Sequence, residues 1–338
     1  MPQERAITIK DIARMVGVTD ATVSNVLNGK GRVSPTVRDR VLKTVADVGY
    51  TSNSMARGLK TSRSRTLGIL TNNLASPVSS GQLSGIDFVA RERGYALLIA
   101  TDDAAPLPYP VAFAGRGVDG IIAMPSSANI PQDLYQQFAE AAAPFAYSYR
   151  AADDDPNPTG AVVDQLAGGA LAADLFVSIG RTRLAYISPD PSRVVHVERL
   201  VGYQRALTRS GVILGDDFVI HGDGIDTPAI AGAVNRLLDL RPLPDAAFAS
   251  YDYLAIVLLR ECRNRGIRVP DDMAIIGFDD VRICDITEPT LTSIAMPLMD
   301  CGKIAGRKLI DQLEKVEPDP AEPALVVLPP SLVRRDSA

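Results

Sequence analysis

Apolar residues in the first fifty positions recur at helical spacing, between punctuation that fits helix ends. Thr8-Ile9-Lys10-Asp11 has the form of a capping box, a hydroxyl with an acid three residues later. It opens a predicted helix from Ile9 to Val16, stopped by Gly17. Thr19 is a second N-cap, and the helix from Asp20 to Leu27 carries Val23, Val26 and Leu27 at i, i+3 and i+4. Two short helices across a tight turn containing glycine have the helix-turn-helix layout. A third helix starts at Ser34-Pro35, turns Val37, Val41, Leu42, Val45 and Val48 inward, and ends at Gly49. A generic three-helix bundle would show the same pattern. Next, Asn53 to Lys60 forms a predicted short helix in basic surroundings, with Met55 and Leu59 apolar at i, i+4. That stripe fits a symmetry mate, a DNA minor groove with Leu59 as a wedge, or the rest of the chain.

From Arg65 onward the pattern changes to apolar runs separated by helices. Strands are predicted at 67–71, 95–100, 120–124, 145–147, 184–187, 218–220, 246–249 and 273–278. Helices are predicted at about 83–93, 166–179, 201–210, 230–240 and 253–265. Buried parallel strands read as continuous apolar runs, so the body is expected to be two doubly wound α/β lobes with a ligand cleft at the strands' carboxyl ends.

Charge sharpens this division. The chain has 338 residues and a formal net charge of −5. Residues 1–66 hold 12 Lys and Arg against 5 acids, a local balance of +7, and the remainder carries −12. A basic head on an acidic body suits a polyanion-binding module joined to a separate sensor. Hydrophobic residues make up 46% and charged residues 22%, which excludes a disordered chain. No apolar run approaches the roughly 18 residues that span a bilayer, and Met1 to Arg5 has no apolar leader core, so the expected location is the cytoplasm with no membrane partner. Cys262, Cys284 and Cys301 are far apart and the histidines number two, so no disulfide, metal or cofactor is expected.

Two enzyme signatures are missing: no G-x-x-x-x-G-K-[ST] and no G-x-S-x-G occurs. Asp153-Asp154-Asp155, beside Pro156 and Pro158, reads as a solvated loop. His196 has no nucleophile or oriented base beside it and reads as a surface or satisfied side chain.

Thr8-Ile9-Lys10-Asp11-Ile12-Ala13, Gly17-Val18 and Ala21 to Gly29 resemble the head of the lactose-repressor (LacI) family. Val33-Ser34, Gly49-Tyr50, Asn53 and Ala56 to Leu59 continue the match. In the body, Gly117 to Ile122, Arg199 to Tyr203, Gly266 to Asp272, Ile276 to Asp280 and Leu291 to Ile294 do the same. The resemblance implies an α + α/β chain: a helix-turn-helix three-helix head (1–52), a hinge helix and linker (53–66), and a periplasmic-binding-protein-like body of two doubly wound α/β lobes (67–338). Lobe 1 is expected at about 67–163 plus 295–323, and lobe 2 at about 164–294 plus 324–338.

The function so implied is a homodimeric transcription regulator, usually a repressor, on near-palindromic double-stranded operator DNA. By the same resemblance, Asp20, Ala21 and Asn25 face base edges, and Thr19, Thr22, Ser24 and Asn28 lie near phosphates or bases. Thr8, Lys10, Arg32, Asn53, Met55, Ala56, Arg57 and Lys60 belong to the DNA-contacting set, and Leu59 enters the minor groove. For a small polar effector such as a sugar or polyol, the implied cleft residues are Asn73, Val78, Ser79, Ser126, Tyr149, Arg199, Tyr251 and Asp279.

The chain departs from the family at several of these places. Asn25 stands where the family commonly has Arg; Asn favours adenine where Arg reads guanine. Asp20 either accepts from cytosine or favours the helix N-terminus. After the first strand, Asn73-Leu74-Ala75-Ser76-Pro77-Val78-Ser79 lacks the usual aromatics, while Tyr251-Asp252 and Asp164-Gln165 replace Asn-Asp and Asp-Asn. Pro106, Pro108 and Pro110 interrupt a segment that is usually helical. Three alternatives stay open at this point: a regulator whose pocket no longer answers to a metabolite, a solute-binding protein, and an α/β enzyme, which would need a catalytic constellation that the sequence does not display. With no leucine heptad at Arg334 to Ala338, a dimer is expected over a tetramer.

Overall fold

The computed structural model describes residues 7–27, 31–48, 63–71, 73–101, 113, 117–124, 136, 144–153, 155–224 and 226–338. The chain divides into two compact units, Met1–Ser64 and Arg65–Ala338.

The first unit contains α1 (Ile9–Val16), α2 (Asp20–Leu27) and α3 (Pro35–Asp47). Thr8 and Asp11 form the reciprocal capping box: the Thr8 amide donates to Asp11 Oδ2 at 3.0 Å, and the Asp11 amide donates to Thr8 Oγ1. Gly17 ends α1 at φ 72, a conformation that a β-carbon would strain. Ile12, Ala13, Val16, Val23, Val26 and Val41 make the core, with Val37, Val45 and Val48 packed against it. Leu42 does not join them. It is 46% exposed, because one residue after Val41 the helix has turned about 100° away from the core. The expected hinge helix, with Asn53, Met55, Ala56, Arg57, Leu59 and Lys60, lies outside the described residues, as does Asn28.

The second unit carries two six-stranded sheets. The first combines β1 (Thr66–Thr71), β2 (Ala96–Thr101), β3 (Gly120–Met124), β4 (Phe145–Tyr149), β5 (Gly160–Val163) and β11 (Leu325–Leu328) in the order β11-β5-β4-β3-β1-β2. All its pairs are parallel. The second combines β6 (Leu184–Ser188), β7 (Val219–His221), β8 (Ala246–Ala249), β9 (Ala274–Asp279), β10 (Thr292–Ala295) and β12 (Ser331–Val333) in the order β12-β10-β9-β8-β6-β7. Only β12 runs antiparallel to its neighbour.

Alternate side chains of each strand serve opposite faces. Ile122 and Met124 pack with Ile86, Ala305 and Leu309 from α4 (Pro77–Glu92) and α9 (Leu298–Glu314), whereas Ile121 and Ala123 face Phe113 and Tyr147. In the second sheet one face is covered by α5 (Gln165–Ser178) and α6 (Val194–Arg209). The other is covered by α7 (Thr227–Leu238) and α8 (Asp252–Asn264).

The chain crosses between sheets three times: after β5, after β10 and after β11. The third crossing differs from the expected one. Leu325–Leu328 pairs with Gly160–Val163 at the open edge of the first sheet, so lobe 1 extends beyond residue 323 and the chain changes lobe at Pro329-Pro330. That dipeptide lacks two backbone donors and cannot continue the ladder. Two further differences concern helices. α6 begins seven residues before the expected start, which puts Arg199 on the helix, and α4 begins at Ser76-Pro77, a proline-initiated turn ahead of the apolar stripe. Among the described residues no helix is long and apolar enough to cross a membrane.

Candidate functional sites in the head and the interlobe cleft

In the head, α2 presents Asp20, Ala21 and Asn25 to solvent, with Thr22 and Ser24 half-buried. Thr19 precedes the helix; its Oγ1 accepts from the Thr22 amide at 3.2 Å and lies 2.9 Å from Thr22 Oγ1. The Asn25 amide lies against Gly31, where a β-carbon would meet Nδ2 at 3.2 Å. Lys10 and Arg32 are exposed. The result is a short helix with a polar outer face in a unit that also exposes the cations Lys10 and Arg32, features suited to a major groove. Thr8 differs in kind, since its side chain is held in the α1 cap.

In the body, the parallel strands of the second sheet end at one edge, where Ser188, His221, Ser250, Tyr251 and Asp279 gather. Arg199 reaches this edge from α6 and is 2% exposed. Its Nε donates to Gln165 Oε1 at 2.9 Å, Nη1 donates to the Ser250 carbonyl, and Nη2 donates to Tyr149 Oη at 3.0 Å. The guanidinium carbon stands 3.6 Å from the centre of the Phe278 ring. Asp279 Oδ1 lies 3.6 Å from Nη2, an ion pair without a hydrogen bond. Tyr149 ends β4 in lobe 1 and Arg199 belongs to lobe 2, so this cluster spans the cleft. Their neighbours do the same: Arg150 Nη2 is 3.5 Å from Glu198 Oε1 and 2.9 Å from Asp153 Oδ1.

Backbone strain marks both walls. Tyr149 has φ 86, Asp279 has φ 111 and Asp280 has φ 54, conformations costing on the order of 1–3 kcal/mol each for residues with a β-carbon. Burial raises several pKa values. The Asp279 carboxyl is pushed up to about 8 by desolvation, against Arg199 and with help from Asp252. The Tyr149 phenol is pushed up to about 12 by burial, against Arg199. Asp252 is raised to about 6 by burial, even though Ser293 Oγ (2.6 Å), the Val281 amide (2.8 Å) and Cys284 Sγ (3.2 Å) donate to it. These bonds make Asp252 a tie between α8, β10 and the segment after β9.

The expected effector residues therefore separate. Tyr149, Arg199 and Asp279 come together, with Tyr251 beside them through its interaction with Asp279. Asn73 is exposed, and its Oδ1 accepts from the Ala75 amide at 2.9 Å in a turn ahead of α4. Val78 is packed in the apolar cluster, and Ser79 Oγ sits 3.3 Å from Thr71 Oγ1. Ser126 lies outside the described residues. Sequence reasoning missed Gln165 and Ser250 as Arg199 partners, Glu198 and Arg150 as its companions, and His196. That histidine is neither on the surface nor fully satisfied: it is 5% exposed with no partner at Nδ1.

A model of bacterial regulatory proteins of the lacI family matches residues 8–53, and a periplasmic binding protein-like domain matches residues 173–338. The chain is 32% identical to the HTH-type transcriptional regulator CelR of Thermobifida fusca over 345 residues, covering 100% of each chain. The structure of a transcriptional regulator CelR–cellobiose complex superposes with a TM-score of 0.73 at 29% identity, over 98% of this chain and 100% of that one. A lac repressor dimer bound to operator and the anti-inducer ONPF has the same fold, with a TM-score of 0.82 at 22% identity over 98% and 99% of the two chains. The chain thus belongs to the lacI family of DNA-binding bacterial transcriptional regulators.

Proposed function

We propose that this regulator is a cytoplasmic homodimeric repressor, binding a near-palindromic operator through α2 and the 53–60 segment. In this reading an uncharged polar effector in the interlobe cleft sets its operator affinity. The observation that carries it is the bridge of Arg199 to Tyr149 with Asp279 alongside, because it joins the two lobes at the edge where doubly wound sheets take ligands. A ligand that binds one lobe arrangement better than the other shifts the balance between them, and with it the dimer geometry offered to DNA. The cellobiose bound by the related CelR makes a sugar-like effector the first choice. On the DNA side, Asp20, Ala21 and Asn25 read base edges, while Thr19, Thr22, Ser24, Asn28, Lys10 and Arg32 position the helix.

Selection of bound duplexes from a random pool at moderate salt tests this reading. A near-palindromic consensus is expected, with affinity that falls steeply as salt rises. Sequence-blind binding overturns the operator assignment. Operator affinity that no neutral sugar changes overturns the effector assignment and leaves the DNA reading intact.

A further inference from the structure

Among the described residues, His196 is a buried polar side chain next to Arg199 on the same helix that the Arg199 network does not use. It lies in the first turn of α6, three residues before Arg199, so both side chains leave the helix on one face. Its ring centre is 6.0 Å from that of Tyr251, with 44° between the planes, and Tyr251 in turn stacks on Tyr253 at 6.4 Å. The backbone at this point is pinned, because Tyr186 Oη donates to the His196 carbonyl at 2.7 Å. The ring is 5% exposed, yet Nδ1 has no hydrogen-bond partner. Asp279 Oδ1, which interacts with Tyr251, likewise has no hydrogen bond. Burial, with the cations Arg199 and Arg193 and the nearby His221, pushes the imidazole well below its usual value, so the ring is neutral.

A structural histidine at this depth would satisfy both ring nitrogens inside the protein, since an unmade bond there costs the whole desolvation of the group. Here two such atoms belong to side chains that both interact with one aromatic residue, Tyr251, at the carboxyl edge of the sheet. Arg193 and Arg199 oppose a cation at this position, and both are already engaged within the protein, Arg193 by Asp190 and Arg199 by Gln165, Ser250 and Tyr149, which leaves no free charge for an anion. What fits is a neutral group able both to give and to take a hydrogen bond, carried on a body that packs against a ring: a hydroxyl on a saturated ring.

We propose that His196 is an effector-contacting, specificity-determining residue whose Nδ1 pairs with a hydroxyl of an uncharged ligand seated against Tyr251. The inference rests on the effector reading above and adds the atom that selects among ligands. A ligand lacking that hydroxyl leaves Nδ1 unpaired and is rejected.

The test uses the full chain on its selected operator duplex, with cellobiose, glucose and their monodeoxy analogues as probes of operator affinity. His196→Asn keeps a polar atom near the Nδ1 position, whereas His196→Gln moves it toward the Nε2 position. H196N is expected to keep the response to an active probe within a few-fold, and H196Q to weaken it about ten-fold or more. One monodeoxy analogue is expected to act equally on wild type and H196Q. Ring-15N histidine labelling supplies a second reading on the unmutated protein, because the chain has only two histidines, His196 and His221. An active probe is expected to shift the His196 Nδ1 resonance. Equal responses of both variants, a response kept by H196Q and lost by H196N, or an unmoved Nδ1 under an active probe each overturn the proposal. If no probe changes wild-type operator affinity, the effector reading itself fails and this inference falls with it.

Discussion

Arg199 spends its guanidinium entirely inside the protein, on Gln165, Ser250, Tyr149 and Asp279, above the face of Phe278. Arg199→Ala strips the charge from a buried pair and leaves Gln165 and Tyr149 without their donor, so a loss of about 3 kcal/mol is expected in denaturant unfolding. Asp279 gives a pH signature. Its folded pKa of about 8 lies above the ordinary carboxylate value of about 3.9, so the native state holds the proton more tightly than the unfolded chain does. The stability this provides is complete at low pH and is lost as pH rises through the interval from about 4 to about 8. Asp279→Asn should remove that part of the slope, so unfolding at pH 5 and pH 7.5 is expected to differ less in D279N than in wild type. Much of this cluster could be read in advance, because Arg199 and Asp279 stand in motifs. Gln165 stands in the Asp164-Gln165 dipeptide, but its bond to Arg199, like the burial of His196, depends on what the fold brings to it. Placing the start of α6 correctly would have put His196 one turn from Arg199, and that was the available signal.

Two helix pairs lock the lobes through glycines that let backbones touch. A β-carbon on Gly169 of α5 would fall 2.0 Å from the Arg199 carbonyl of α6, and one on Gly202 of α6 would fall 2.0 Å from the Leu166 carbonyl. Gly85 of α4 stands in the same relation to Met299 of α9. Gly169→Ala is therefore expected to cost about 2 kcal/mol or more and, by pushing α6 outward, to weaken any effector response with the DNA contacts untouched. Gly180→Ala is the comparison: it meets nothing within 4 Å, and only its φ of 76 resists. In the head, α2 carries the specificity prediction. Asn25→Arg should change the preferred base from adenine to guanine at one position of each half-site, read by repeating the duplex selection. The α1 and α2 boundaries were legible because capping residues are local. Four short strands, β5, β10, β11 and β12, were not, and neither was α9. Three- and four-residue strands completed by partners far away in sequence carry little pattern of their own, and α9 mixes Cys301, Gly302, Ala305 and Gly306 into its buried face in place of a stripe of large apolar side chains.

Between the lobes, the paired contacts Tyr149–Arg199 and Arg150–Glu198 join consecutive residues on each side. Burial raises the Glu198 carboxyl pKa, with Arg150 opposing, and the Arg150 and Glu198 side chains keep 14% and 34% of their surface exposed, so the pair is only partly shielded from water. Reversing one charge, Arg150→Glu or Glu198→Arg, should loosen the closed arrangement, and the double reversal should restore it. Energy transfer between labels at Asp216→Cys and Glu317→Cys, exposed positions in lobe 2 and lobe 1, measures this, because the three native cysteines are buried. Additive effects of the two reversals would show that the contact does not couple the lobes.

The three crossings have a consequence for synthesis. The first sheet needs β11 at residues 325–328 and the α9 cover at 298–314, and the second needs β12 at 331–333 and Ser337, whose Oγ donates to the Ile275 carbonyl. Both lobes therefore lack an edge strand until nearly the last residue has left the ribosome. The head, complete within its first fifty residues, can fold while the rest is still being translated. A nascent chain is thus equipped with its DNA-reading part well before it has a finished sensor.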